Sequence, residues 1–334
     1  MEFSKFKFGQ DDISRRLDKV IRIFANNLSL PEIYKSIRKG LIRVNNHKSK
    51  SEYRIQENDE IEIATFLLNK TGLSGNDNQK NHNDFSNEKM PEIVFENENI
   101  LIVNKPYDVN VHGDENSLDK VIQQYFDNKS HEKSLSFKPG PLHRLDKKTT
   151  GLLAFSKSLE GARWFSENIQ NHNIKKKYYG LVNGKIVSEE IWQDVIIEDD
   201  ESKGFHKVIA KKITKNNMSQ VSLEGADKIA ETVATPLAYG SYDNDPVTLV
   251  EFNIKTGRKH QIRAQSSLHN HSLLGDTAYG SEKLKFGSQD FYLTAKELIF
   301  PKDNPLNIPC DLVINLPDDF IKILKHCGIK KNGV

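Results

Sequence analysis

Cysteine is almost missing from this chain: 334 residues carry two, Cys310 and Cys327. So few cannot build a disulfide framework or a paired-cysteine zinc site, and a reducing, cytoplasmic setting is expected. Long apolar runs are missing too. No stretch approaches the roughly 18 residues that a membrane span needs, and Met1-Glu2-Phe3-Ser4-Lys5-Phe6-Lys7 lacks the apolar centre of a secretory signal. Neither sign of charge dominates, with 48 Lys and Arg against 46 Asp and Glu. There is no glycine-rich phosphate loop, no solenoid repeat and no regular strand–helix alternation. These absences argue against a secreted disulfide scaffold, a membrane protein, a repeat array and a doubly wound nucleotide-binding fold.

What is present is a chain of 37% hydrophobic and 28% charged residues, long enough for one sizeable domain and one small one. Its charge is unevenly spread. Between Ser14 and Lys50 there are ten bases and only two acids, Asp18 and Glu32. A local excess of that size is the electrostatic footprint of a polyanion-binding surface.

That basic segment reads as two short helices followed by strands. Ser14 is placed to cap a helix whose apolar positions Leu17, Val20, Ile21 and Phe24 follow the 3.6-residue period. Ser29 and Glu32 have the spacing of a capping box for a second helix, apolar at Ile33 and Ile37, and Gly40 stands where a helix-ending glycine belongs. Leu41 to Val44 and Ile61 to Ile63 read as strands, with Asn45-Asn46 as a turn. Residues 69–91 are rich in Asn, Asp, Gly, Ser and Lys and read as a flexible polar linker. The remainder, 92–330, is one domain by size. Ile100 to Val103 suits a buried strand; Ser117 and Ser158 each stand before a helical pattern. Short strands outnumber helices, so the expected class is α+β.

The chemistry concentrates around His143-Arg144-Leu145-Asp146, followed by Lys147-Lys148-Thr149-Thr150-Gly151-Leu152-Leu153. A carboxylate among Arg and Lys is favoured in its ionised form, and the same bases would hold a polyanionic substrate. Such a group can serve as a nucleophile or a base. Three further blocks accompany it: Glu98 to Pro106 with Val111-His112-Gly113; Lys177-Tyr178-Tyr179-Gly180-Leu181-Val182-Asn183-Gly184; and Thr256-Gly257-Arg258-Lys259-His260-Gln261-Ile262-Arg263 with Gly275-Asp276 and Tyr279-Gly280.

These four blocks, in this order, resemble the Rlu-type (large-subunit rRNA) pseudouridine synthase family. Arg16 to Lys19, Ile37 to Asn45 and Asn58 to Ile61 resemble the S4 RNA-binding domain. The resemblance implies an S4-like αα/β domain over 1–68. It also implies a catalytic domain over 92–330, built on a mostly antiparallel mixed sheet with flanking helices. The implied reaction is isomerisation of specific uridines in 23S rRNA to pseudouridine after the target nucleotide is flipped out. Asp146 would be the nucleophile or base and Arg263 its partner. Tyr178 would stack on the uracil, with Tyr179 as a neighbouring competitor. Arg144 would enter the RNA stack; His143 and Arg258 join the RNA-binding set, and Arg38, Lys39 and Arg43 carry the S4 face. Arg16 and Lys19 could instead be structural.

No cofactor, metal, membrane or protein partner is implied, and a monomer acting on 23S rRNA or a large-subunit precursor is expected. The C-type enzyme fits best and the D-type second. The chain departs from the family pattern at Lys148, Thr150, Ala264-Gln265, Ser272 and Thr294, none of which carries the reacting groups. His112, His143, His260, His269 and His271 have no zinc-like spacing. A glycosidic-bond hydrolase would release free base, which isomerisation would not. The alternative of another class is a catalytically inert S4-domain factor in ribosome assembly or translation.

Overall fold

The structure is a computed structural model and describes residues 1–71, 90–129, 134–198, 208–213 and 229–330. Most of the expected linker, at 72–89, lies outside the described residues. Two compact units are present. One comprises Met1–Met90 with Lys120–Gly140 and Ser156–Gly161; the other comprises Pro91–Asp119, Pro141–Phe155 and Ala162–Val334.

In the first unit a four-stranded antiparallel sheet runs in the order β1 (Phe3–Lys7), β4 (Glu60–Ala64), β2 (Ile42–Val44), β3 (His47–Lys48). Helices α1 (Leu17–Phe24) and α2 (Leu30–Lys39) pack on it, and α3 (Thr65–Thr71) follows β4. Leu17, Ile21, Ile33, Ile37, Ile61 and Ile63 are fully or almost fully buried in one cluster. The capping box of α2 forms as its spacing predicts: the Ser29 backbone N–H and its hydroxyl both donate to Glu32, at 2.9 and 2.7 Å. Gly40 ends the helix at φ +72, a left-handed conformation that suits glycine. Ser14 does not cap α1. It sits at φ +63 with its N–H on the Ile55 carbonyl, and Arg16 occupies the N-cap position.

This unit also gathers chain from beyond the expected small domain. Asp12 is fully buried and accepts hydrogen bonds from the Leu135 and Ser136 N–H groups at 2.8 and 3.1 Å, and Asp11 accepts from the Leu159 N–H at 2.7 Å.

The second unit is organised by an 11-stranded sheet. Its path is β11 (Val208–Lys212), β10 (Glu190–Glu198), β12 (Ile229–Tyr242), β13 (Asp245–Ile254), β9 (Lys175–Asn183), β14 (Leu293–Ile299), β8 (Thr150–Ser156), β6 (Ile100–Lys105), β5 (Glu92–Glu96). Off this path β15 (Asp311–Val313) pairs β14, and β7 (Gly140–Pro141) pairs β8. Pairing is antiparallel from β11 through to β14, whereas β14 and β8 run parallel. Helices α4 (Leu118–Lys129) and α5 (Leu159–Gln170) each contribute residues to both units, whereas α6 (Gln261–Leu268) and α7 (Asp318–His326) belong to this one. The fold is α+β, with a mixed, mostly antiparallel sheet. Strand β8, wholly buried, reads as a continuous apolar run because it is central and covered on both faces. Among the described residues no helix is long and apolar enough to cross a membrane.

Candidate active site

Asp146 lies in the loop between β7 and β8. The Thr149 N–H bonds the Asp146 carbonyl at 3.0 Å, turning the chain into β8. At the start of that strand Gly151 has φ +111, and a Cβ there would collide with the Ala295 backbone of β14. Lys105, at the end of β6, is fully buried and donates to the carbonyls of Pro106 and Lys147, both at 2.8 Å. The loop is thus tied from two sides. Burial lowers the Lys105 pKa to about 7, against the opposing pull of Asp146.

The Asp146 carboxylate faces two side chains from the start of α6. Its Oδ2 is 3.7 Å from Arg263 Nη1, and its Oδ1 is 3.8 Å from His260 Nε2. Arg263 and Asp146 are therefore brought together, but the guanidinium fork is used elsewhere. Nε and Nη2 donate to the two oxygens of Asp276 at 2.7 and 2.9 Å. The guanidinium also lies over the rings of Tyr279, at 4.8 Å, and Phe291, at 4.6 Å. Burial opposes the charge of Arg263, yet the hydrogen bonds and charge of Asp276 outweigh it and hold its pKa above the ordinary value. One edge of an oriented cation is left for Asp146.

A cavity of about 680 Å³ opens here, lined by Arg144, Asp146, His260, Arg263, Tyr279 and Phe291 among others. A smaller space of about 50 Å³ joins Asp146 and Arg263 to Tyr178, Arg258 and Leu293. Tyr178 is buried, and burial, then the negative charge of Asp146, raise its pKa well above the usual phenol value. Tyr179, the next residue on the strand, faces the other way, half-buried beneath Lys296 Nζ at 5.8 Å. Strand alternation separates the two candidates that the sequence leaves side by side.

Other expected site residues fall differently. Arg144 and Arg258 are exposed and line the cavities. His143 lines neither. Its Nε2 accepts from the Ala154 N–H at 3.1 Å, its ring stacks on Phe165, and burial drives its pKa down to about 3. The ring thus packs on the framework beside the expected site, and its part in RNA binding stays an expectation. In the first unit Arg38 and Lys39 are exposed on the last turn of α2, but Arg43 folds back: Nε donates to the Gly40 carbonyl at 2.7 Å, and the guanidinium lies 4.4 Å over Phe3. Its head group is engaged within its own domain. Arg16 likewise forks onto Asp18, at 3.1 and 2.8 Å.

Asp276, Tyr279, Lys105 and Phe291 received no role from the sequence. The first two sit in the Gly275-Asp276 and Tyr279-Gly280 signatures, whose signal was position alone. Phe291 stands outside every block. Among the described residues no group of three or more His, Cys, Asp or Glu side chains is arranged to hold a metal ion.

Residues 99–268, which contain Asp146, Tyr178 and Arg263, match the family described as RNA pseudouridylate synthase. The chain belongs to this family. It is an isomerase acting on RNA, which disfavours the inert-factor alternative, and residues 15–61 match the S4 domain. A ribosomal large subunit pseudouridine synthase C of Buchnera aphidicola is 27% identical over 278 residues, 82% of this chain and 80% of the relative. A tRNA pseudouridine synthase C of Vibrio cholerae is 31% identical over 220 residues, 63% of this chain and 85% of the relative. The fold of the pseudouridine synthase is similar to that of human RNA pseudouridylate synthase domain containing 4. Their TM-score is 0.54 at 23% identity, over 71% of this chain and 93% of that one.

The departures from the family pattern find partners inside this synthase. Thr150 and Thr294 are opposite each other in the parallel β8–β14 pair, and their buried hydroxyls hydrogen-bond at 2.8 Å. Gln265 is fully buried, accepting from the Thr232 hydroxyl at 2.6 Å and donating to Asp194 at 2.7 Å. Ser272 accepts from Asn183 at 3.0 Å, and Lys148 pairs with Asp290 beside the larger cavity.

Proposed function

We propose that this synthase isomerises selected uridines of 23S ribosomal RNA and that Asp146 is the carboxylate that acts on the target nucleotide. The observation that carries the reading is that Asp146 and Arg263 line both a cavity of about 680 Å³ and a smaller space of about 50 Å³ that Tyr178 also lines. A base inside a structured RNA is inaccessible, so the nucleotide must leave the stack for such a space. Arg144, exposed at the cavity edge, is suited to fill the gap left behind.

In the isomerisation the N1–C1′ bond breaks, the uracil turns while held, and a C5–C1′ bond forms. The C5 proton is then lost and N1 gains one, so the balance is redox-neutral. Asp146 supplies the oxygen that attacks or takes a proton. Arg263 aims it, Tyr178 lies against the base, and Arg258 contacts the flanking backbone. The exposed Arg38 and Lys39 of the S4 region recruit the RNA, in an organisation of 1–68 for binding, 69–91 for linkage and 92–330 for chemistry.

The 23S assignment is supported by relatives named for the large ribosomal subunit that match over 82% of this chain. Transfer RNA is the second reading, favoured by the higher identity of the shorter match. The test is tritium release from C5-tritiated 23S rRNA and tRNA transcripts, comparing wild type with Asp146→Asn. Release from 23S transcript by wild type alone, without free uracil, is expected. Release from tRNA alone would move the substrate to the second reading, and release by the variant would overturn the role of Asp146.

A further inference from the structure

We propose that His260 is a positioning residue for Asp146, held by Tyr279 in the tautomer that directs an N–H at the carboxylate. The proposal rests on Asp146 being the reacting group. His260 occupies the N-cap of α6 at φ +50, ψ +23, a left-handed conformation that side-chain-bearing residues rarely adopt, and its side chain does not cap the helix. What this backbone achieves is to aim the imidazole. Nδ1 lies 2.9 Å from the Tyr279 hydroxyl and Nε2 lies 3.8 Å from Asp146 Oδ1.

The Asp146 carboxylate selects the tautomer, because it offers Nε2 only lone pairs, and the Tyr279 hydroxyl, able to donate or accept, complies. The Val208 N–H donates to the Tyr279 oxygen at 3.2 Å, so that oxygen accepts there and its own proton can be given to His260 Nδ1. Nδ1 is then the acceptor, and the ring proton resides on Nε2, opposite a carboxylate that offers only lone pairs. The carboxylate end of the ring sets this arrangement and the hydroxyl end accommodates it. Arg263 Nη1 faces the other oxygen, Oδ2, at 3.7 Å, so each Asp146 oxygen has one donor aimed at it. Tyr279 serves both donors, because its ring lies under the Arg263 guanidinium while its hydroxyl holds His260. Both approaches are longer than hydrogen bonds, as catalytic contacts often are until the substrate closes the site.

The groups acting on the imidazole are Asp146, Arg263, Lys259, Asp276 and Tyr279. Burial is the largest influence and lowers the His260 pKa. Asp146 and Asp276 oppose this, while Arg263 and Lys259 reinforce it. The ring is therefore neutral at neutral pH, as a tautomer-based role requires.

The experiment combines tritium release with ¹⁵N NMR of the histidine rings of the full chain at pH 7.5. Wild type and Asp146→Asn provide the control for the underlying reading. Variants His260→Ala, His260→Gln and Tyr279→Phe are compared for kcat, KM and unfolding midpoint. His260→Ala is expected to lower kcat by about 10- to 100-fold with KM little changed. His260→Gln, whose amide reaches towards the Nε2 position, should restore part of it. Tyr279→Phe keeps the ring under Arg263 and should lower kcat while the His260 nitrogen signals move from the Nε2–H pattern to mixed tautomers. A wild-type His260 found as the Nδ1–H tautomer or as imidazolium would overturn the proposal. So would unchanged kcat in folded His260→Ala and Tyr279→Phe. Activity in Asp146→Asn would instead overturn the underlying reading.

Discussion

Arg263 gives two of its N–H donors to Asp276 while Nη1 faces Asp146 at 3.7 Å, which makes Asp276 the residue on which the geometry at Asp146 depends. Asp276→Asn leaves one acceptor where two were, in a site where Asp276 is 2% exposed. Breaking a buried pair of this kind costs about 3 kcal/mol. We expect a lowered urea midpoint together with a fall in kcat, because the freed guanidinium can swing onto Asp146 and neutralise it. Lys105 allows a second prediction. Its folded pKa of about 7 lies below that of an unfolded lysine, about 10.4, so between those values the unfolded chain binds a proton that the folded chain does not. Stability therefore rises with pH across that window, by at most about 1.4 kcal/mol per unit, and is lost as pH falls through it. Burial acts on Lys176 in the same direction, lowering it to about 8. Urea unfolding at pH 7, 8 and 9 should show a shallower rise in Lys105→Met than in wild type. Asp146 and Arg263 were legible as a candidate pair only through the family resemblance, since residue type alone does not single out one arginine for a given carboxylate. Asp276 was not, since a short motif does not say which of two acids takes the fork.

Gly151 shows what an element demands of one residue. Its φ of +111 and the closeness of the Ala295 backbone leave no room for a side chain where β8 begins to pair with β14. Gly151→Ala combines a disfavoured backbone with a steric clash, and a loss of about 3 kcal/mol or more is expected in thermal or urea unfolding. The neighbouring Thr150–Thr294 hydrogen bond lies in the same pairing. Read singly, each threonine is only a departure from a pattern; the register makes them partners. Elements with strong local chemistry were legible for a physical reason: the α2 capping box and Gly40 satisfy their backbone groups within a few residues. Ser14 was misread because capping needs an extended N-cap directly before the helix, and tertiary pairing with Ile55 sets its backbone instead. Strand β1 went unseen because Phe3–Lys7 is short, and it acquires meaning only from β4, more than fifty residues on.

On the scale of the whole chain, the sequence carried the class and the two kinds of chemistry but not the grouping of segments. Asp11 and Asp12 draw 135–136 and Leu159 into the N-terminal unit through backbone N–H donors, which every non-proline residue possesses and no pattern advertises. The basic run in 14–50 was equally ambiguous until its side chains were placed. Arg43 is held by the Gly40 carbonyl and Phe3, and Arg16 by Asp18, whereas Arg38 and Lys39 are exposed. These two classes of base should behave differently when RNA binding is measured against salt. Each lost phosphate contact reduces the slope of log K against log salt by about 0.7 to 0.9, so Arg38→Ala with Lys39→Ala should reduce it by about 1.4 to 1.8. Turnover on a short RNA fragment should survive, since neither residue lies in the unit that holds Asp146. Arg43→Ala should instead lower the unfolding midpoint of the first unit and leave the slope near wild type. An unchanged slope in the double variant, or a reduced one in Arg43→Ala, would mean that exposure in the free chain does not identify the bases that meet RNA.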